Sequence, residues 1–160
     1  MPVDSAAYRN AISRFLTGVT IVTTMTEEKP SGLTATAIAS VTLEPPTLLA
    51  CLNRQSTTCQ AIIQAGRFAV NVLSSEQMDL AKLFASRDTD KFQQLAAGGF
   101  GIQASPSGMP HLVGALASID CRVSDTSDVG THRIFFGEVE SVTCAEGSPL
   151  GYFRGAFVSK

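Results

Sequence analysis

Pro45-Pro46 divides the stretch from Gly32 to Asn53 in two, and no other feature constrains the fold of this chain as much. A proline has no amide hydrogen to give to a β ladder, so an extended segment running into a diproline has to stop there. Gly32 to Leu43 reads as one long strand before the corner, and Thr47 to Asn53 as a second, apolar strand after it. An unbroken aliphatic run would mark the first strand as core, but it carries Thr34, Thr36, Ser40 and Thr42. Small hydroxyl side chains expose oxygen and backbone at low steric cost, which suits a flat polar ligand.

The remaining elements follow from caps and periodicity. Asp4 or Ser5 can cap a helix to about Leu16, with Tyr8, Ala11, Ile12, Phe15 and Leu16 on one apolar face. Gly18 to Thr24 is β-branched and reads as a strand, followed by a polar turn through Glu27 to Gly32. Ser56 can cap a short helix through Ile63 that Gly66 closes. Arg67 to Leu73 is a strand, and Ser74-Ser75-Glu76-Gln77 has capping-box form ahead of a helix to about Ala85. A brief helix over Asp90 to Leu95 and a glycine-rich loop follow. Leu112 to Val123 and His132 to Cys144 read as strands joined by polar Ser124 to Gly130, and Gly147 to Lys160 as a turn and a last short strand. Roughly seven strands with few helices argue for a mainly β fold, an antiparallel barrel with peripheral helices. A doubly wound sheet fits poorly, and no Gly-x-Gly-x-x-Gly follows a first strand.

The 160 residues suffice for a single domain over residues 1–160 with one good core. A net charge of −2 without a run of Lys or Arg gives no nucleic-acid footprint. The longest apolar run, Leu48 to Leu52, is far short of a membrane span, and no basic-then-apolar signal opens the chain, so a cytoplasmic location is expected. Cys51, Cys59, Cys121 and Cys144 form no Cys-x-x-Cys pair, and with only His111 and His132 beside them zinc spacing is absent. Two disulfides would suit a secreted protein; buried free thiols are the expectation here.

Several short motifs recur in a definite order along the chain: Phe15-Leu16-Thr17-Gly18, Gly32 to Asn53, Phe68-Ala69-Val70-Asn71-Val72-Leu73, Leu80-Ala81 with Phe84-Ala85, Lys91-Phe92, Gly130-Thr131-His132 and Gly151-Tyr152-Phe153. As an ordered set they resemble the flavin reductase family, the small NAD(P)H:flavin oxidoreductases built on an FMN-binding split barrel. The resemblance covers about the whole chain. It is nearest to the reductase components of two-component flavin monooxygenases of the 4-hydroxyphenylacetate 3-monooxygenase type, and to the similar pyrimidine-utilisation reductases.

The resemblance implies an enzyme that reduces FMN or FAD with NADH or NADPH and supplies reduced flavin to a separate flavin-dependent monooxygenase. It also implies a homodimer. The cofactors hold the hydride chemistry, so no catalytic residue is expected. Thr34, Ala35, Thr36, Ala37 and Ser40 match the strand that lies along the flavin ring in the family; on their own they show ordinary β propensity. Cys51, Leu52 and Asn53, with Arg54-Gln55-Ser56-Thr57, resemble the strand end and phosphate loop. Ser56 and Thr57 would open a helix toward an anion, and a plain cap at Ser56 is compatible with that role. Ser86-Arg87 and Lys91-Phe92 form a second candidate phosphate site, Lys91 holding the family's basic position before Phe. An isolated lysine is otherwise simply solvated.

Gly130-Thr131-His132 corresponds to the family's Gly-Asp-His element, with Thr131 in place of Asp, so no carboxylate partner is expected for this imidazole. His132 would bind the nicotinamide carboxamide or ribose, and Tyr152 and Arg154 would line the same pocket; the structural alternatives are a strand histidine, barrel packing and a surface arginine. Two other functions share the barrel: a non-catalytic flavin-binding protein and an oxidase of the pyridoxamine-phosphate type. The motif order favours the reductase.

Overall fold

The computed structural model describes residues 1–88 and 90–159. Its centre is a seven-stranded antiparallel sheet. The strands in chain order are β1 (Thr17–Gly18), β2 (Thr20–Met25), β3 (Pro30–Ala35), β4 (Ile38–Leu43), β5 (Pro46–Asn53), β6 (Arg67–Val72), β7 (Ile102–Ala104), β8 (Pro110–Leu112), β9 (Ala117–Val129), β10 (His132–Cys144), β11 (Leu150–Phe153) and β12 (Ala156–Ser159). The helices are α1 (Ser5–Ile12), α2 (Thr57–Ala65), α3 (Met78–Ala85) and α4 (Lys91–Ala97).

The large sheet runs β3-β2-β6-β9-β10-β5-β4. Its two outermost strands, β3 and β4, are consecutive in sequence, with only Thr36 and Ala37 between them. A sheet whose edges are tied by so short a link has to curl until those edges meet. The barrel is therefore closed by the chain at Thr36–Ala37 and not by a ladder between β3 and β4. The single long strand expected over Gly32 to Leu43 is in fact this pair of edge strands. The diproline does end β4, and Glu44–Pro45 is cis.

The barrel interior is filled by Val22, Leu48, Ala50, Leu52, Phe68, Val70, Cys121 and Phe135, with Cys59 and Ile62 of α2 packed onto them. Gly137 on β10 leaves room there, since a Cβ would stand 2.6 Å from the Phe68 ring and 2.7 Å from Cys121. Alternation along β2 turns Ile21 to the opposite face. There it joins Val19, Leu73, Leu80, Ala81, Phe84, Leu95, Leu112 and Leu150 in a second core beneath α3 and α4. Both faces of β2 are buried, so it reads as a continuous apolar and threonine run.

The caps form where the sequence places them. The Asp4 carboxylate accepts from Ala7 N–H, and Ser56 Oγ accepts from Cys59 N–H. Gly66 closes α2 in the left-handed region at φ 70°. Ser74 and Gln77 complete a capping box, on a 3₁₀ turn (Ser75–Gln77) leading into α3. Three differences stand out. The polar segment Ser124 to Gly130 is mostly strand, the tip of a long β9–β10 hairpin. The C-terminal segment is a hairpin, β11–β12, and Lys160 lies outside the described residues. The four cysteines are free, but only Cys59 and Cys121 are buried, Cys51 being half-buried and Cys144 exposed.

Candidate functional site

At the closing link of the barrel lies an open cleft of about 780 Å³. Leu33, Thr34, Ala35, Thr36 and Ala37 line it from β3 and the link. Cys51, Leu52 and Asn53 come from the end of β5, and Gln55 with Ser56, Thr57 and Thr58 from the entry of α2. Phe84 to Asp88 with Lys91 line it from the end of α3 onward, and His132 from the start of β10. Four separate stretches of chain thus meet where the sheet edges are tied.

Hydrogen bonds hold these stretches in place. Thr34 Oγ1 donates to the Ala81 carbonyl at 2.6 Å, fixing α3 to β3. Thr20 Oγ1 donates to the Ala35 carbonyl at 2.6 Å, and Cys51 N–H to the Ala37 carbonyl at 3.0 Å. Gly32 permits the close approach of α3, because a Cβ there would meet the Phe84 ring at 2.9 Å. Ser56 Oγ donates to the Asn53 carbonyl while capping α2, so one side chain ties the end of β5 to the helix. No acidic residue sits in the first turn of α2, which leaves the field of its amino end uncompensated.

Lys91 Nζ donates to the carbonyls of Phe84 at 3.0 Å and Gly32 at 3.3 Å, and lies 5.9 Å from the centroid of the Phe84 ring. Burial pushes its pKa down, partly offset by the Asp88 carboxylate. Burial likewise pushes the Cys51 thiol up, so this cleft residue is a poor nucleophile at neutral pH. His132 is exposed, and its Nδ1 lies 2.9 Å from Thr131 Oγ1, the residue that stands where a carboxylate was the alternative.

The cleft collects Thr34, Ala35, Thr36, Ala37, Cys51, Leu52, Asn53, Ser56, Thr57, Ser86, Lys91 and His132. Four other candidates lie elsewhere. Ser40 is exposed on β4, opposite Leu48. Phe92 packs edge-on against Phe84 at 5.2 Å and so supports the cleft wall from behind. Tyr152 packs against Phe157 at 5.3 Å on the β11–β12 hairpin. Arg154 forms the turn of that hairpin at φ 51°, its N–H donating to the Ser13 carbonyl at 2.8 Å. Leu33, Thr58 and Asp88 line the cleft without having been singled out. Thr58 and Asp88 lie one or two residues from expected sites, and helix phase from the Ser56 cap would have shown Thr58 facing inward.

The donor set suits a flavin. It offers an apolar side from Leu33, Phe84 and Ala85, strand backbone and hydroxyls along another, and an ammonium and a helix amino end for a phosphate.

Residues 12–160 match the family described as Flavin reductase like domain. The chain is 41% identical over 156 residues to the reductase component of 4-nitrophenol 4-monooxygenase/4-nitrocatechol 2-monooxygenase from Rhodococcus opacus, covering 98% of this chain and 81% of that protein. It is 41% identical over 145 residues to FMN reductase (NADH) RutF of Methylorubrum extorquens, covering 91% and 69%. Among solved structures, nitrilotriacetate monooxygenase component B from Mycobacterium thermoresistibile superposes with a TM-score of 0.91 at 36% identity, over 98% of this chain and 87% of that one.

Proposed function

The chain belongs to the flavin reductase like domain family, and from that membership and its cleft we propose that it transfers hydride from NAD(P)H to FMN or FAD and passes the reduced flavin to a separate monooxygenase. The observation that carries this reading is the meeting of the Thr36–Ala37 link, Lys91, the α2 amino end and His132 in one cleft.

Hydride transfer between a nicotinamide and a flavin is chemistry the two cofactors supply when bound. The chain's part is to hold and align them. Lys91, with two donors committed to backbone carbonyls, keeps a third N–H and its charge for a phosphate. The first-turn amides of α2 offer further donors to the same anion. The link residues Thr36 and Ala37 belong to neither edge ladder, and apart from the Ala37 carbonyl, which accepts from Cys51 N–H, their backbone is open to the polar rim of a planar ring. His132, exposed and on the same cleft, is placed to bind the carboxamide or ribose of a nicotinamide. The cleft is open, which allows the exchange of flavin that a carrier requires.

The reading includes a homodimer. No residue of α1 is buried, and Tyr8, Ile12, Phe15 and Leu16 are all exposed beside the β11–β12 hairpin that carries exposed Phe153 and Val158. In this reading a second copy covers this apolar face together with the hairpin that carries Tyr152 and Arg154, which do not line the cleft of their own chain. The reading also treats residues 1–160 as one domain and places it in the cytoplasm, with its NAD(P)H supply. Among the described residues no helix is long and apolar enough to cross a membrane.

The test is NADH and NADPH oxidation at 340 nm by the purified protein, with and without added FMN or FAD. Turnover that requires added flavin and saturates with it is the expected result. A protein that binds flavin and oxidises neither nucleotide would overturn the proposal.

A further inference from the structure

Among the described residues, Asp88 is the one carboxylate that lines the cleft. It stands beside Arg87 and Lys91, at the end of the cleft that offers its cations. A site for an anion is weakened by a like charge on its own wall, so a carboxylate here has a cost that a neutral residue would not carry. An aspartate just ahead of a helix is otherwise an ordinary surface residue, and Asp88 precedes α4 by three positions. Its contacts set it apart from that case. Ser86 Oγ donates to the Leu83 carbonyl at 2.6 Å and accepts from Asp88 N–H at 3.4 Å, which ties the segment to the end of α3. Gln94 Nε2 donates to Asp90 Oδ1 at 2.8 Å and, more weakly, to Asp88 Oδ2 at 3.4 Å. The carboxylate is steered by α4, while most of its acceptor capacity stays open to the cleft and to solvent.

Lys91 is the neighbour that matters. Two of its N–H groups go to the Phe84 and Gly32 carbonyls, and the third remains for a ligand. The Asp88 carboxylate favours the charged form of this amine, against the effect of burial. Yet Asp88 and Lys91 form no direct ion pair among the described residues. Asp88 therefore acts on Lys91 through space and leaves the ammonium unoccupied. A phosphate that takes the third N–H enters the field of Asp88, and two anions then share one side of the cleft. The repulsion follows the charge of the ligand, which is about −1.5 to −2 for a phosphate monoester at neutral pH and nil for the same ring system without it.

We infer that Asp88 sets how loosely the cleft holds flavin: its carboxylate repels the ligand's phosphate and keeps affinity in the range that lets a carrier release its product. This rests on the functional reading above and deepens it, since a chain that hands its flavin on gains from a built-in opponent of binding. Asp88 touches neither reacting ring in this account. It tunes affinity through charge at the phosphate end, so a phosphate-bearing flavin is opposed and the bare ring system is not.

The test titrates FMN and riboflavin, followed by flavin fluorescence, into the full chain and into Asp88→Asn and Asp88→Glu. At low salt Asp88→Asn is expected to lower the FMN Kd about three- to fivefold, the scale of one exposed charge pair. Riboflavin should stay within about 1.5-fold. Asp88→Glu, which keeps the charge, should bind FMN within about 1.5-fold of the unaltered protein. In roughly 0.5 M salt the gain of Asp88→Asn should shrink below about twofold, because screening acts on charge and not on packing. An FMN Kd that stays put or rises in Asp88→Asn overturns the inference. So does a riboflavin Kd that falls in step with it, or an Asp88→Glu protein that behaves like Asp88→Asn. FMN binding without oxidation of NADH or NADPH sinks the functional reading alone. Flavin-dependent oxidation with an FMN Kd indifferent to Asp88 sinks this inference alone, and FMN binding by none of the three proteins sinks both.

Discussion

Thr34 donates its hydroxyl proton to the carbonyl of Ala81 at 2.6 Å, joining an edge strand of the barrel to the helix that forms the opposite wall of the cleft. Thr34→Val keeps the shape and removes the donor, leaving the Ala81 carbonyl without this partner. The expected cost is ~1–2 kcal/mol, or a fall of about 2–6 °C in Tm for a chain of this size. Because α3 also presents Phe84 to the cleft, FMN affinity falls with it. A Tm and a flavin Kd that both stay put would show the contact to be dispensable.

Among the described residues Lys91 is the one lysine of the cleft, and burial depresses its pKa. Lys91→Met should raise the FMN Kd about tenfold and leave riboflavin, which lacks the phosphate, within about twofold. The depressed pKa fixes a sign as well. Folding disfavours the protonated amine, so Lys91 detracts from stability below its folded pKa, and stability is regained as pH rises from there toward the ordinary lysine value. The unaltered protein should therefore gain more stability than Lys91→Met across the alkaline range in urea titrations.

His132→Ala should raise the NADH KM or lower kcat while the FMN Kd stays nearly constant. The Thr131 hydroxyl 2.9 Å from Nδ1 holds the ring, so Thr131→Ala should give a weaker version of the same change. Steady-state kinetics with saturating FMN separate the two readouts, and unchanged kinetics in both variants would remove His132 from the nicotinamide site.

A buried network on the other side of the barrel supplies the acid limb of stability. Asp120 is 1% exposed, with His111 Nε2 3.0 Å from Oδ1 and Ser107 Oγ donating to Oδ2 at 2.6 Å. Burial alone would raise this carboxyl, but the surrounding hydroxyls of Ser105 and Ser107 and the His111 ring bring it below the usual carboxylate range. A carboxyl lowered on folding adds stability above its unfolded pKa and loses it as pH falls through the folded value. Asp120→Asn should cost about 1–3 kcal/mol at neutral pH and flatten the fall of stability in the acid range below the ordinary carboxylate pKa. Parallel acid limbs for the two proteins would disprove this.

The uncovered apolar face of α1 and of the segment that follows it, Phe15 and Leu16, predicts the oligomeric state. Phe15 and Leu16 are 67% and 68% exposed, so charges placed there should not disturb either core. Light scattering should show a dimer for the unaltered protein and a monomer for Phe15→Glu combined with Leu16→Glu. A monomer in both cases would leave this face without the proposed partner.

Caps and strand periodicity made most elements legible, because Ser56, Gly66, Ser74 and Pro45-Pro46 act locally and do in the fold what they do in any peptide. The division of Gly32–Leu43 at Thr36–Ala37 was not legible, since Thr-Ala-Thr-Ala contains no breaker and the split is imposed by closure of the sheet. The tip of the β9–β10 hairpin is polar on both faces, so alternation could not reveal Ser124 to Val129 as strand. The cleft residues came within reach through the order of short motifs. The Asp120–His111 pair did not, because docking of the β7–β8 hairpin brings those side chains together and no spacing encodes it. His111 was given no role in the sequence and is nearly sealed from water. For Tyr152 and Arg154, the motif identified the hairpin, but the fold of one chain sets them beside α1 and not in the cleft.

The link between β3 and β4 has a further bearing on how such a chain can vary. Side chains on successive strand residues point to alternate faces, so one residue added between Ala35 and Ile38 would turn β4 over, exchanging its inner and outer faces. It would lengthen the barrel's girth at the spot that also frames the ligand. An insertion at the β7–β8 turn would leave both intact, while the span at Thr36–Ala37 is held to a fixed count by two requirements at once.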